Sequence, residues 1–224
     1  MSPSSRSTWD AGRFLQTLNF FDTIPVVSCL RKLLFGSTPS PTPPDPQAGV
    51  LFDFRQPTAD LEQLWGALDD VVMGGVSASG IRQEAEAALF SGYVSTANSG
   101  GFASVRTRNF DPPLNLAEHT GLQLYLKGDG NRYKFLVRDE DTWDSIAYTH
   151  SFDTVADEWI TVQVSFAQLI PVFRAKTVDT ARPLDRSQIR SLQLMLSKFE
   201  YDGALNPRFT PGAFQLRLQT IAVY

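Results

Sequence analysis

Two periodicities divide this chain. Across residues 7–35 apolar side chains recur every three or four positions. Phe14, Leu15, Leu18 and Phe21 fall on one side of a first segment, and Val26, Val27, Leu30, Leu33 and Leu34 on one side of a second. This spacing predicts two amphipathic helices, the first capped by Ser7 or Thr8. Pro25 interrupts them because it has no N–H and its ring clashes with the preceding turn. From Val50 the period becomes two. Residues 50–54, 89–94 and 102–107 read as strands, the last two joined by the turn formers Asn98-Ser99-Gly100-Gly101. Leu122, Leu124 and Leu126 alternate with polar neighbours, and so do Tyr133, Phe135 and Val137. The Gly128-Asp129-Gly130-Asn131 turn between them predicts a hairpin. Ile160, Val162, Val164 and Phe166 continue the pattern, followed by Leu192, Leu194 and Leu196. The final run, Phe214, Leu216 and Leu218, changes phase to Ile221 and Val223, as a β-bulge produces. Many alternating strands with little helix predict an all-β antiparallel sandwich. Helix is confined there to a turn or two near residues 166–170 and 187–189, and residues 171–183 read as a long irregular loop.

Between the two regimes, residues 37–49 carry Pro39, Pro41, Pro43, Pro44 and Pro46. Such a run favours extended polyproline geometry and reads as a spacer. The expected organisation is a helical extension at 1–36, a proline-rich linker at 37–49 and a β-sandwich at 50–224. Three arrangements suit the extension. It lies on a membrane surface, it docks into a partner's groove, or it packs back on its own domain. The residues available for the first two are Phe14, Leu18, Phe21, Val27, Leu30, Arg31, Lys32 and Leu34. With Arg13, Arg31 and Lys32 set against Asp10 and Asp22, attraction to anionic lipid is weak, about 1 kcal/mol per basic residue at most.

Composition narrows the function. The net charge of -4 argues against a general affinity for nucleic-acid phosphates. Cys29 is the single cysteine, so neither an intrachain disulfide nor a multi-cysteine metal site is available, which fits a reducing compartment. No apolar run approaches the twenty residues of a spanning helix, and the N-terminus lacks the pattern of a secretory signal.

The stretch with the most chemistry is Trp65-Gly66-Ala67-Leu68-Asp69-Asp70-Val71-Val72-Met73-Gly74-Gly75-Val76-Ser77. Paired glycines suit a sharp corner or a close approach of another group. Asp69 and Asp70 are expected to cap amides of the turn ahead of Gly74-Gly75. Catalytic readings fail one by one. Ser79 stands where a nucleophile elbow needs glycine, and Tyr133 where a dinucleotide fingerprint does. The acidic residues around Trp143 lack the calcium-loop pattern and read as an exposed turn. Neighbouring carboxylates do not make an acid–base pair across a cleft. No enzyme, cofactor or metal is expected.

An ordered series of segments resembles the complex I intermediate-associated protein 30 family. It comprises Trp65 with residues 69–77, Gly100 to Arg106, Gly121-Leu122 to Lys127-Gly128-Asp129-Gly130 and Tyr133-Lys134-Phe135. Trp159 with Val162, Val164 and Phe166 follows, then Pro171-Val172-Phe173-Arg174, Leu194-Met195 with Lys198, and the strand from Phe214 to Ile221. The resemblance implies a galactose-binding-like jelly-roll sandwich and a non-catalytic assembly factor or chaperone. Such a protein binds subunits or intermediates of a membrane electron-transfer complex, either an NADH dehydrogenase-like complex I or a photosystem. The N-terminal helices and proline spacer stand where eukaryotic members carry a mitochondrial transit peptide, which points to a bacterial form or a mature organellar one. The bacterial form is favoured, working on the cytoplasmic side of the thylakoid or plasma membrane. A departure is Asp69, where the family often has Asn. The expected partner surface is Asp69, Asp70, Met73, Gly74, Gly75, Ser77 and Arg106. The alternative is a carbohydrate-binding module of the jelly-roll class with a face lined by Trp and Tyr.

Overall fold

The computed structural model describes residues 9–21, 42–57, 60–142 and 144–224. The strand signal resolves into two antiparallel sheets. One contains β1 (Val50–Asp53), β3 (Ala78–Glu84), β4 (Ala87–Val94), β6 (Gly121–Lys127), β9 (Trp159–Ser165) and β13 (Gly212–Val223). Its order is β3-β4-β13-β6-β9, with β1 pairing on β13. The other contains β2 (Trp65–Ala67), β5 (Phe102–Thr107), β7 (Arg132–Arg138), β8 (Ala147–Asp153), β10 (Ile170–Phe173), β11 (Lys176–Thr177) and β12 (Ser191–Ser197). It runs β11-β10-β8-β7-β12-β5-β2.

The alternating leucines explain the layers. Leu122, Leu124 and Leu126 of one sheet, and Leu192, Leu194 and Leu196 of the other, are all buried in one core with Phe90, Tyr133, Phe135 and Phe214. Each such side chain contributes about 1.5–3 kcal/mol by leaving water, which ties every strand's register to its inward face. The change of phase near the C-terminus is a bulge. Leu218 faces Leu126 and Thr220 faces Tyr125, leaving Gln219 as the extra residue; its carbonyl accepts from Phe54 N.

The expected hairpin at 122–137 is corrected. β6 pairs with β9 and β13, and β7 with β8 and β12, so the Gly128–Asn131 turn arches from one sheet to the other. Alternation records which face is buried and leaves the neighbouring strand unspecified. Asp129 secures the arch, accepting from Asn131 N at 3.1 Å, Tyr133 Oη at 3.0 Å and Gln215 N at 2.9 Å. The turn at 98–101 crosses between sheets in the same way, from β4 to β5. The irregular loop at 171–183 is partly a hairpin, with Arg174 and Ala175 at positive φ between β10 and β11. The acidic turn is not simply exposed. Asp139 is buried, accepting from Arg182 Nη1 at 2.6 Å and Asp185 N at 2.7 Å.

Of the extension, α1 (Ala11–Phe20) is described. Asp10 caps it by accepting from Gly12 N and Arg13 N, while Ser7 and Thr8 lie outside the described residues. The expected second helix, with Val27, Leu30, Arg31, Lys32 and Leu34, also lies outside them. In the linker, Pro46–Ala48 form a 3-10 turn capped by Asp45 instead of extended polyproline geometry.

Candidate functional site

β2 and β3 are edge strands of different sheets on one side of the sandwich. The Leu68-to-Ser77 elbow joins them, and α1 lies across the opening. After β2 the chain makes a 3-10 turn, Asp70–Met73, ended by Gly74 at φ +89°. Both carboxylates turn inward and neither caps that turn through its side chain. Asp70 has no exposed surface and gathers donors from three places. Ser77 gives its N–H at 2.9 Å and its hydroxyl at 2.7 Å, while Gly101 N lies at 2.7 Å and Phe102 N at 3.3 Å. The glycine requirement follows from this packing. A Cβ on Gly75 would sit 2.3 Å from the Asp70 carboxylate, and one on Gly100 2.4 Å from its Oδ2.

Asp69, 1% exposed, bonds the other way. It accepts from Ser79 N at 2.8 Å, Ser79 Oγ at 2.5 Å, Ser104 N at 3.0 Å and Arg13 Nη2 at 2.8 Å. Burial pushes its pKa up, while the Ser79 and Ser104 donors and the Arg13 charge pull it down. Arg13 also donates to the carbonyls of Ser77 and Ser79, groups on the otherwise unpaired edge of β3. A single guanidinium thus partly stands in for the missing neighbouring strand.

The rest of α1 follows the same logic. Trp9 Nε1 donates to Val71 O at 2.8 Å, Thr17 is buried against β2, and Phe20 fills the notch left by Gly66. Arg108 stacks over the Phe20 ring at 4.1 Å. Phe14, Leu18 and Phe21 are half-buried, and Phe14 packs on Trp9. Of the three arrangements open to the extension, α1 takes the one packed on its own domain.

The expected partner surface therefore divides. Asp69, Asp70, Gly75, Ser77 and Arg106 are buried, so their side chains build the elbow and are withdrawn from any partner. Arg106 faces away from the core, donating to Ser191 Oγ and Asn109 Oδ1. Burial and nearby Arg138 hold its pKa well below the ordinary arginine value. Gly74 is half-buried. Met73 alone of the set projects, 72% exposed, from the turn whose Val71 carbonyl accepts from Trp9. Sequence reasoning missed Arg13, Ser104 and Gly101 as partners of the carboxylates. The spacing of one motif holds no signal for contacts made 31 to 56 residues away.

On the outer face of the seven-stranded sheet, the chain covers itself. Tyr201 hydrogen-bonds Thr149 and Ser151, and Lys134 donates to the carbonyls of Phe199 and Glu200 at 2.6 and 2.8 Å. On the six-stranded sheet, Tyr125 and Trp159 stack on each other at 5.2 Å, which occupies one face of each ring.

The strand order and buried elbow define a class, a galactose-binding-like jelly-roll sandwich. A family 11 carbohydrate-binding module from Clostridium thermocellum, solved with a β-1,3-1,4-mixed-linked tetrasaccharide, shares the fold. Its TM-score is 0.56 at 16% identity, over 78% of this chain and 94% of the module. An agarase matches with a TM-score of 0.51 at 10% identity, over 78% of this chain and 24% of the agarase. Sequence goes further than fold. Residues 52–218 match the model of the complex I intermediate-associated protein 30 family. An uncharacterized protein of Schizosaccharomyces pombe is 32% identical over 166 residues, 67% of this chain and 76% of the relative. The chain belongs to the complex I intermediate-associated protein 30 family. No helix among the described residues is long and apolar enough to cross a membrane.

Proposed function

We propose that this protein is a non-catalytic assembly factor that holds an intermediate of a membrane-bound electron-transfer complex, an NADH dehydrogenase-like complex I or a photosystem. It works peripherally, on the cytoplasmic side of the thylakoid or plasma membrane. Family membership supports the assembly role. The observation that carries the surface is Met73. Two buried carboxylates and the close-packed Gly75 and Gly100 brace the elbow, yet its tip presents a flexible thioether to water. Met adapts to irregular apolar partners, and the exposed Trp9 indole, held to the same turn through Val71 O, adds aromatic area.

The test is complementation. Cells lacking the protein should accumulate subcomplexes of one of these assemblies on native gels, and the wild-type gene should clear them. A Met73→Asp variant, folded to the wild-type Tm, should fail to clear them and should recover at least tenfold less intermediate in pull-downs from solubilised membranes. Normal assembly of every such complex in the deletion strain refutes the role. Full rescue by Met73→Asp refutes the surface and leaves the role intact.

A further inference from the structure

Beneath α1, where the edges of β2 and β3 face each other, lies an open cavity of about 510 Å³. This is within the range of small-molecule sites, roughly 300–1,000 Å³. We infer that it binds a small, uncharged, hydroxyl-rich molecule of monosaccharide size. The lining sets the class. Arg13 borders the cavity, but its charge is spent on Asp69 and two carbonyls. Glu62, exposed at the rim, has no ion-pair partner among the described residues, so an anion is disfavoured. Glu62 is the one carboxylate on the lining, and a single solvated carboxylate at the rim holds a cation only weakly.

What remains is a mixture of groups that give and receive hydrogen bonds. Glu62 accepts only. The Gln16 amide and the Ser91 hydroxyl do both. Trp65, also on the wall, holds its Nε1 as a buried donor with no partner among the described residues, an exception that calls for an acceptor. Hydroxyls serve all four, and the ring of Phe20 with the open backbone at Gly80 suits the apolar face of a pyranose. Gly80 matters most, because a Cβ built there meets open space. The cavity has room where that strand has no side chain. Since α1 supplies Arg13, Gln16, Thr17 and Phe20 to the wall, the ligand binds only the helix-docked state and stabilises it by mass action.

The experiment is a titration of the full chain with glucose, galactose and glycerol, followed by 15N–1H spectra. With at least one of these, the Trp65 indole N–H peak, assigned through Trp65→Phe, should move and saturate. Hydrogen exchange at α1 amides should slow in parallel. The Cβ of Gly80→Phe meets open space and its ring projects into the cavity, so the variant, checked to keep the wild-type Tm, should lose the saturating shift. Gln16→Ala, at an exposed helix position, should weaken binding by about three- to tenfold. No saturating shift with any of the three probes overturns the inference. So does saturation at unchanged affinity in both Gly80→Phe and Gln16→Ala.

Discussion

Truncating Asp70 to alanine removes the acceptor for four hydrogen bonds and leaves Ser77 N, Gly101 N and Phe102 N pointing at an emptied, dry position. A buried donor without a partner costs about 1–3 kcal/mol, and the 3.3 Å contact from Phe102 belongs at the low end. Relief of the buried charge offsets part of the sum. The expected net loss is about 3–5 kcal/mol, in line with what breaking a buried charge cluster costs. For a chain of this size that lowers Tm by about 10 °C, since 1 kcal/mol corresponds to roughly 2–4 °C. Calorimetry and urea titration measure it. Gly100→Ala adds an internal check. Its Cβ would lie 2.4 Å from Asp70 Oδ2 and 3.0 Å from Cγ. The substitution should cost about 1–3 kcal/mol in the wild type and distinctly less beside Asp70→Ala, a coupling of at least about 1 kcal/mol. A loss below about 1 kcal/mol for Asp70→Ala, or strict additivity of the pair, would refute the view of Asp70 as the clamp of the elbow.

Three further outcomes are expected. Arg13→Ala leaves Asp69 buried without its cation and should speed hydrogen exchange in α1 at least tenfold while the sheet amides stay protected; uniform exchange in α1 before and after would show that the ion pair does not hold the helix. Burial holds the Lys134 pKa down to about 8 against an ordinary 10.5, with the Glu200 carboxylate opposing. The folded protein therefore sheds this proton first, so stability relative to Lys134→Met should rise between pH 8 and 10.5 by up to about 3 kcal/mol; a fall across that window in denaturant midpoints contradicts the sign. Asp129→Ala should cost about 2 kcal/mol by orphaning Gln215 N and loosening the β6–β7 arch, visible as faster exchange at Gln215; unchanged exchange there would remove the arch's anchor from the account.

The inward faces of the sandwich were legible because burial imposes period two on sequence. The phase change after Leu218 even marked the bulge. Partners of strands were not legible. The turn between β6 and β7 has the glycines and asparagine of a hairpin, and the same residues suit an arch between layers. β3 (ASGIRQE) escaped notice because, as an edge strand, it buries only Ile81 and carries no apolar alternation. β10 and β11 hid in an expected loop, since their turn uses Arg174 and Ala175 where glycine or asparagine signals positive φ. The elbow was found by its composition and misjudged in its exposure. Aspartates are usually solvated, and nothing local reveals that Ser79, Ser104, Gly101 and Arg13 converge on these two.

β13 sits at the centre of the six-stranded sheet, paired on one side with β4 and β1 and on the other with β6. Every other strand of that sheet precedes it in the chain. While a ribosome is still making residues 212–223, β4 and β6 therefore have an empty lane between them, with Phe90, Leu122, Leu124 and Leu126 lacking part of their cover. Half the sandwich waits for its last strand. Through most of its own synthesis this chain exposes core that needs shielding, and its six-stranded sheet closes only when β13 threads into place.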